Sequence, residues 1–150
     1  MIEVRPATLE DIPRCVEAGK RFHQFSPYRD IPYCEETMRE GMEAMIDQEM
    51  LIVAFNDGEV CGGIGGNIGS CFINKNCKMA YELYWWVDPE QRGRLGLRLL
   101  NAFEAQAKEL GCYLLMMMTL DINDIGPLFI KLGYEKAETG FIKRLERWAS

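Results

Sequence analysis

The chain has 150 residues, 48% of them hydrophobic, and a formal net charge of −6 at neutral pH. That length suits one domain, residues 1–150, around one core, and a charged share of 27% excludes an intrinsically disordered composition. The acidic balance argues against a nucleic-acid surface, which needs a basic face, and no run approaches the ~20 apolar residues of a membrane span.

Ile2 to Arg5 alternates and reads as a first strand. Thr8-Leu9-Glu10-Asp11 is a variant capping box with Asp in place of Glu. Behind it Ile12, Cys15, Val16, Gly19 and Phe22 recur at helical spacing up to Ser26-Pro27. Met38, Met42, Met45 and Ile46 share one face of a second helix. Leu51 to Phe55 is a compact apolar strand, Asn56-Asp57-Gly58 is a hairpin turn signal, and glycine-rich Val60 to Ile68 is the return strand. Its glycines either admit a close approach or mark bulges. Ala80 to Val87 is the strongest strand, dense in β-formers and ended by Pro89. Leu95 to Leu110 is the strongest helix, with Leu99, Leu100, Phe103, Ala107 and Leu110 as its buried stripe and Gly111 behind its end. Tyr113 to Leu120 is continuously apolar, as expected of a strand buried on both faces, so Met116 to Met118 reads as sheet core. A short helix from Ile125 to Leu132 and a final hairpin, Tyr134–Ala137 with Phe141–Leu145, complete the chain. The order β-α-α-β-β-β-α-β-α-β-β puts three consecutive strands before the central helix. It predicts an α/β (α+β) fold on a mixed sheet rather than an all-parallel one.

Six cysteines include no Cys-x-x-Cys pair, so neither a zinc ribbon nor a thioredoxin-type site is expected. Cys15, Cys61 and Cys112 lie in apolar runs and read as small core residues, whereas Cys71 and Cys77 flank a polar stretch. The N-terminus has no apolar stretch of secretory length, so a cytoplasmic location and free thiols are expected.

Chemistry concentrates after the strongest strand, in Val87-Asp88-Pro89-Glu90-Gln91-Arg92-Gly93-Arg94-Leu95-Gly96-Leu97-Arg98. A strand end, a loop with glycine and a helix start form a site for phosphate, because the first helical N–H groups have no internal partner. Arg92, Arg94 and Arg98 add charge suited to phosphate. By this logic alone, a phosphate site and a solvated basic helix start stay equally open. The loop lacks the dinucleotide-fold spacing and the Gly-Lys-Ser/Thr ending of a P-loop.

The same stretch resembles the acyl-CoA-binding motif of the GNAT superfamily of N-acetyltransferases. Ile2-Glu3-Val4-Arg5-Pro6-Ala7-Thr8 with Asp11-Ile12 resembles that family's first strand and helix, and Leu128-Phe129-Ile130-Lys131-Leu132-Gly133-Tyr134 resembles its Leu-Tyr-x-Lys-x-Gly-Phe segment. The resemblance implies the acyl-CoA N-acyltransferase fold, a mostly antiparallel central sheet flanked by helices. It implies acetyl-CoA as donor, with the backbone of Trp85, Trp86 and Val87 against pantetheine and Gln91, Arg92, Gly93, Arg94, Leu95, Gly96 and Leu97 around the pyrophosphate. Asn123 lies one position from the family's cofactor-contacting asparagine. Arg94 stands where a glycine is usual, and Arg92-Gly93 offers an alternative register one residue shorter.

The implied reaction is direct transfer of acetyl to a primary amine of a small molecule or peptide. Some members carry a carboxylate base on the central strand, where Glu82 lies, and alternation groups Glu82 with Tyr84 and Trp86 on one face. A carboxylate in solvent or an arginine's structural partner is the competing reading of Glu82. Phe129 replaces the tyrosine that protonates the leaving thiolate, which leaves water or another tyrosine, Tyr84 and Tyr134 being candidates by sequence proximity. His23, the only histidine, reads as an exposed helix-end residue. Arg94 and Phe129 keep open a non-catalytic acyl-CoA-binding or protein-interaction domain on the same fold. The segment Phe141 to Trp148 is a candidate homodimer contact. No metal site is expected.

Overall fold

Apolar strands and their turns place a five-stranded sheet at the centre of the structure, a computed structural model that describes residues 1–148. The strands β1 (Ile2–Pro6), β2 (Leu51–Asn56), β3 (Glu59–Cys71), β4 (Asn74–Val87) and β5 (Leu114–Met116) lie side by side in that order. β1 to β4 are antiparallel neighbours, and β5 runs parallel to β4. The sheet is therefore mixed, as the element order predicts, and mostly antiparallel, as the resemblance implies.

Helices α1 (Ile12–Phe25) and α2 (Glu35–Asp47) cover one face, and α3 (Arg94–Glu109) and α4 (Gly126–Lys131) cover the other. β2 is apolar throughout because it packs both ways: Ile52 and Ala54 meet the α3 side, and Leu51, Val53 and Phe55 meet the α1–α2 side. Leu99, Leu100 and Phe103 of α3 are fully buried, each contributing on the order of 1.5–3 kcal/mol. The start of α1 is organised by buried Asp11. Its carboxylate accepts the Thr8 N–H at 2.8 Å, Arg5 at 2.7 and 3.0 Å, and Arg14 at 2.7 Å.

The glycines of β3 are explained by β4. The Tyr84 ring lies over Gly63 and Gly65, and a Cβ on Gly66 would collide with the Tyr81 carbonyl oxygen. They admit backbone and aromatic side chains, and the sheet register shifts beside them, between Gly65 and Gly66.

Three expectations need correction. β4 begins at Asn74 rather than Ala80. β5 is three residues long and partly exposed, with Tyr113 beside it at 81% exposure, so Met116 to Met118 is not a strand buried on both faces. It is an edge strand, paired only to β4. The final hairpin is absent among the described residues: the free edge of β5 stays unpaired, and the chain after α4 runs without regular structure. Phe141 and Leu145 are 91% and 86% exposed, and the segment is fixed by Arg144, which grips Asp30 at 2.6 Å and donates to the Pro27 carbonyl at 2.6 Å.

Candidate active site

β4 runs through both halves of the site. Its pairing with β5 covers only Met79, Ala80 and Tyr81. Beyond Tyr81 the outer edge of Glu82 to Val87 has no partner strand, so its backbone donors and acceptors, apart from the Val87 carbonyl that Arg92 reaches, are free for an extended ligand. Where pairing ceases, β4 is also irregular towards β3: Glu82 pairs with Gly66 and Tyr84 with Gly65, leaving Leu83 as a bulge.

The bulge corrects the expectation that Glu82, Tyr84 and Trp86 share a face. Tyr84 packs on the α1–α2 side, together with Phe22 at 5.7 Å between ring centroids, and Trp86 meets Phe22 at 6.0 Å. Ala80 and Trp85 pack on the α3 side. Glu82 stands opposite Gly66, whose missing Cβ would meet Phe103 of α3, so it too belongs to the α3 side. Its carboxyl, with no ion pair among the described residues, is pushed up to about 7 by burial, and the Met118 N–H pulls weakly the other way. A carboxylate tuned to neutrality beside an open strand edge is suited to taking a proton at physiological pH.

Past Val87 the chain turns through Asp88 and a 3-10 turn, Pro89–Gln91, into α3. Asp88 fixes this corner. It accepts two hydrogen bonds from Arg21 of α1 at 3.0 Å and one from the Trp86 indole at 2.9 Å, and its N–H donates to Cys61. Sequence reasoning passed over Asp88 and Arg21, which lie 67 residues apart; only the corner's Asp-Pro pair signalled a role. Gly93 has φ +119 and opens α3, while Arg94 is already helical. The loop thus takes its left-handed residue at Gly93, and Arg94 at the usual glycine position imposes no strain.

The three arginines diverge. Arg92 lies over the Trp86 ring at 5.3 Å and donates to the Val87 carbonyl at 3.4 Å. Arg98 donates to Ile2 of β1 at 3.2 Å, away from the loop. Arg94 is exposed and makes no hydrogen bond or ion pair among the described residues. Gly96 faces the Trp85 ring with room for a Cβ in ordinary contact at 3.6 Å, and Leu95 anchors the turn in the core. Gln91 is half-buried in the 3-10 turn and Leu97 half-buried on α3. The open first turn of α3, the positive-φ glycine and the unengaged Arg94 fit a pyrophosphate.

Other sequence candidates fall elsewhere. Asn123 lies in an exposed turn after β5, its N–H donating to Leu120. Phe129 is buried against Trp85 at 6.0 Å and Tyr134 at 5.1 Å. The Tyr134 hydroxyl donates to Glu104 at 2.9 Å, and burial holds both it and Tyr84 well above the usual phenol range. His23 bridges the Tyr28 and Ile31 carbonyls and so orders the α1–α2 loop. Among the described residues no group of three or more potential ligands could hold a metal ion, and no helix is long and apolar enough to cross a membrane.

A family model described as Acetyltransferase (GNAT) family matches residues 18–134. The chain belongs to the GNAT family of acetyltransferases. A comparison with curated protein sequences finds no match. Among solved structures, the chain is similar to a predicted acetyltransferase from Clostridium acetobutylicum crystallised with acetyl-CoA, at 16% identity and TM-score 0.75, covering 97% of each chain. It is similar to glucosamine-6-phosphate N-acetyltransferase from Arabidopsis thaliana at 16% identity and TM-score 0.74, covering 97% of this chain and 99% of that one. It is also similar to an aminoglycoside N-acetyltransferase in complex with CoA at 17% identity and TM-score 0.75, covering 96% and 94%. At these identities the likeness establishes the fold alone.

Proposed function

We propose that this GNAT protein transfers an acetyl group from acetyl-CoA directly to a primary amine, with Glu82 as the base. The observation that carries the reading is the unpaired β4 edge, which joins the Glu82 carboxyl at one end to the open start of α3 at the other. In its bound form acetyl-CoA supplies the activated acyl group. The free edge of Trp85, Trp86 and Val87 offers backbone hydrogen bonds to an extended donor, and an N–H there polarises the thioester carbonyl. Gln91 to Leu97 wrap the phosphates, with N–H groups of the first helical turn and the Arg94 guanidinium as donors. Glu82 removes the proton that the attacking amine sheds. Phe129 has no proton to give and the Tyr134 hydroxyl is engaged with Glu104, so solvent protonates the leaving thiolate.

Support for an amine acceptor comes from similar proteins whose own acceptors are an amino sugar phosphate and aminoglycosides. The exposed Phe141 and Leu145 support pairing of two copies, which light scattering after size exclusion tests: a monomer at working concentration removes it. Phe129 favours one alternative, a GNAT domain that binds acyl-CoA without turnover. Calorimetric titration with acetyl-CoA, followed by detection of free thiol across an amine panel, separates the two. Tight binding with amine-dependent thiol release is the expected result. Binding without release across the panel favours the alternative, and no binding overturns both.

A further inference from the structure

The far end of the β3–β4 hairpin holds two cysteines that the acetyl-transfer site does not use. Gly69 pairs with Met79 and Ser70 with Lys78. The next residues towards the tip on the two strands are Cys71 and Cys77. The register shifts there, Cys71 pairing with Asn74, so residues 75–77 bow away from the ladder. The Ser70 hydroxyl donates to the Lys75 carbonyl at 3.0 Å, and the Asn76 N–H donates to the Asn74 side chain at 2.9 Å, which hold the bow in place. Both thiols are free and half-buried, on adjacent strands one residue beyond the last regular pair of Ser70 with Lys78. The remaining four cysteines are scattered: Cys15 and Cys61 are buried in opposite cores, Cys34 is exposed before α2, and Cys112 follows α3.

We propose that Cys71 and Cys77 form a reversible disulfide, made by exchange with a small disulfide of the glutathione type. One cysteine thiolate attacks a sulfur of the small disulfide; that S–S bond breaks, and the first small thiolate leaves and takes up a proton. The second cysteine thiolate attacks the protein sulfur of the mixed disulfide and expels the second small thiol. Two protein thiols are oxidised and one small disulfide is reduced to two thiols. Burial and the adjacent Cys71 push the Cys77 thiol up, so exchange accelerates as pH rises. The bond staples the hairpin end of the strand that carries Glu82, beneath the exposed tip residues Phe72 and Ile73.

The test uses the whole protein, equilibrated with glutathione disulfide, alkylated, and digested with trypsin without reduction. Cleavage after Lys75 and Lys78 frees Asn76-Cys77-Lys78 as a tripeptide unless Cys77 is bonded. The expected result is that tripeptide joined to the fragment ending at Lys75, lost on addition of dithiothreitol and lost in Cys71→Ser. Fragmentation of the wild-type product assigns the bond to Cys71 or to Cys61 on the same fragment, so the outcome does not depend on how the variant folds. A free alkylated tripeptide, one carrying glutathione alone, or a bond to Cys61 overturns the proposal. Acetyl-CoA titration is unaffected by any of these outcomes.

Discussion

Glu82→Gln separates activity from stability in a single variant. The carboxyl titrates at about 7 in the folded protein against an ordinary value of 4.5, chiefly through burial. At about 1.4 kcal/mol per pH unit, keeping it ionised in the folded state costs about 3 kcal/mol. The sign follows from proton binding: the folded state holds this proton more tightly than the unfolded one. Wild-type stability from this group is therefore fully present below pH 4.5, is lost as pH rises through 7, and stays lost above it. Glutamine keeps the shape of the neutral acid at every pH. In urea unfolding followed by tryptophan fluorescence, wild type and variant should match near pH 4.5. At about pH 8 the variant should be more stable by about 3 kcal/mol, or roughly 6–12 °C in Tm. In the same variant kcat/KM should fall about 100-fold or more, and the wild-type rate should climb with pH to a plateau above about 7 as the base ionises. A stability difference that does not change between the two pH values would refute the desolvated carboxyl. Unaltered turnover would refute the base.

Arg94→Gly restores the usual glycine and removes the unengaged cation at the start of α3, so acetyl-CoA affinity should drop about tenfold or more by calorimetry; unchanged affinity removes Arg94 as a phosphate contact. Asp11→Ala leaves the partly exposed Arg5 and Arg14 and the Thr8 N–H without their shared partner and should cost about 2–3 kcal/mol in urea unfolding. Because Arg5 holds the Asp11 carboxyl far below the usual range, its contribution is present above 3.8 and fades as pH falls further. Gly66→Ala should abolish soluble expression, since its Cβ meets the Tyr81 backbone, whereas Gly63→Ala, with no neighbour closer than 3.4 Å, should shift the urea midpoint little.

What the sequence disclosed and what it withheld divide along physical lines. The α3 stripe, the β2 run and the Asn56-Asp57-Gly58 turn were legible because each is set by local periodicity or turn chemistry. The Thr8–Asp11 box was legible for the same reason, although its ion pairs to Arg5 and Arg14 were not. The Tyr113–Leu120 run misled because apolar composition does not report how many neighbours a strand has. β5 has one, and its residues face solvent as much as core. The terminal hairpin misled similarly: Tyr134–Ala137 and Phe141–Leu145 carry strand-like composition, but composition does not report whether a segment pairs, and neither segment joins the sheet.

The site was half legible. Its loop could be read from residues, because a helix start with Gly93 and basic neighbours is a local device. The grouping of Glu82 with Tyr84 and Trp86 failed because period-two alternation assumes an unbroken ladder, and the ladder breaks at Leu83. That break sets where the proposed base lies. With alternation intact, Glu82 would lie among the aromatic residues on the α1–α2 side. The bulge instead sets it on the α3 side, at the point where β4 loses its partner strand and within reach of the Met118 N–H. Gly66 is the residue that admits this geometry, since any side chain there would strike the Tyr81 carbonyl. A glycine that looked like a weak point in a strand is thus a condition for the position of the proposed base.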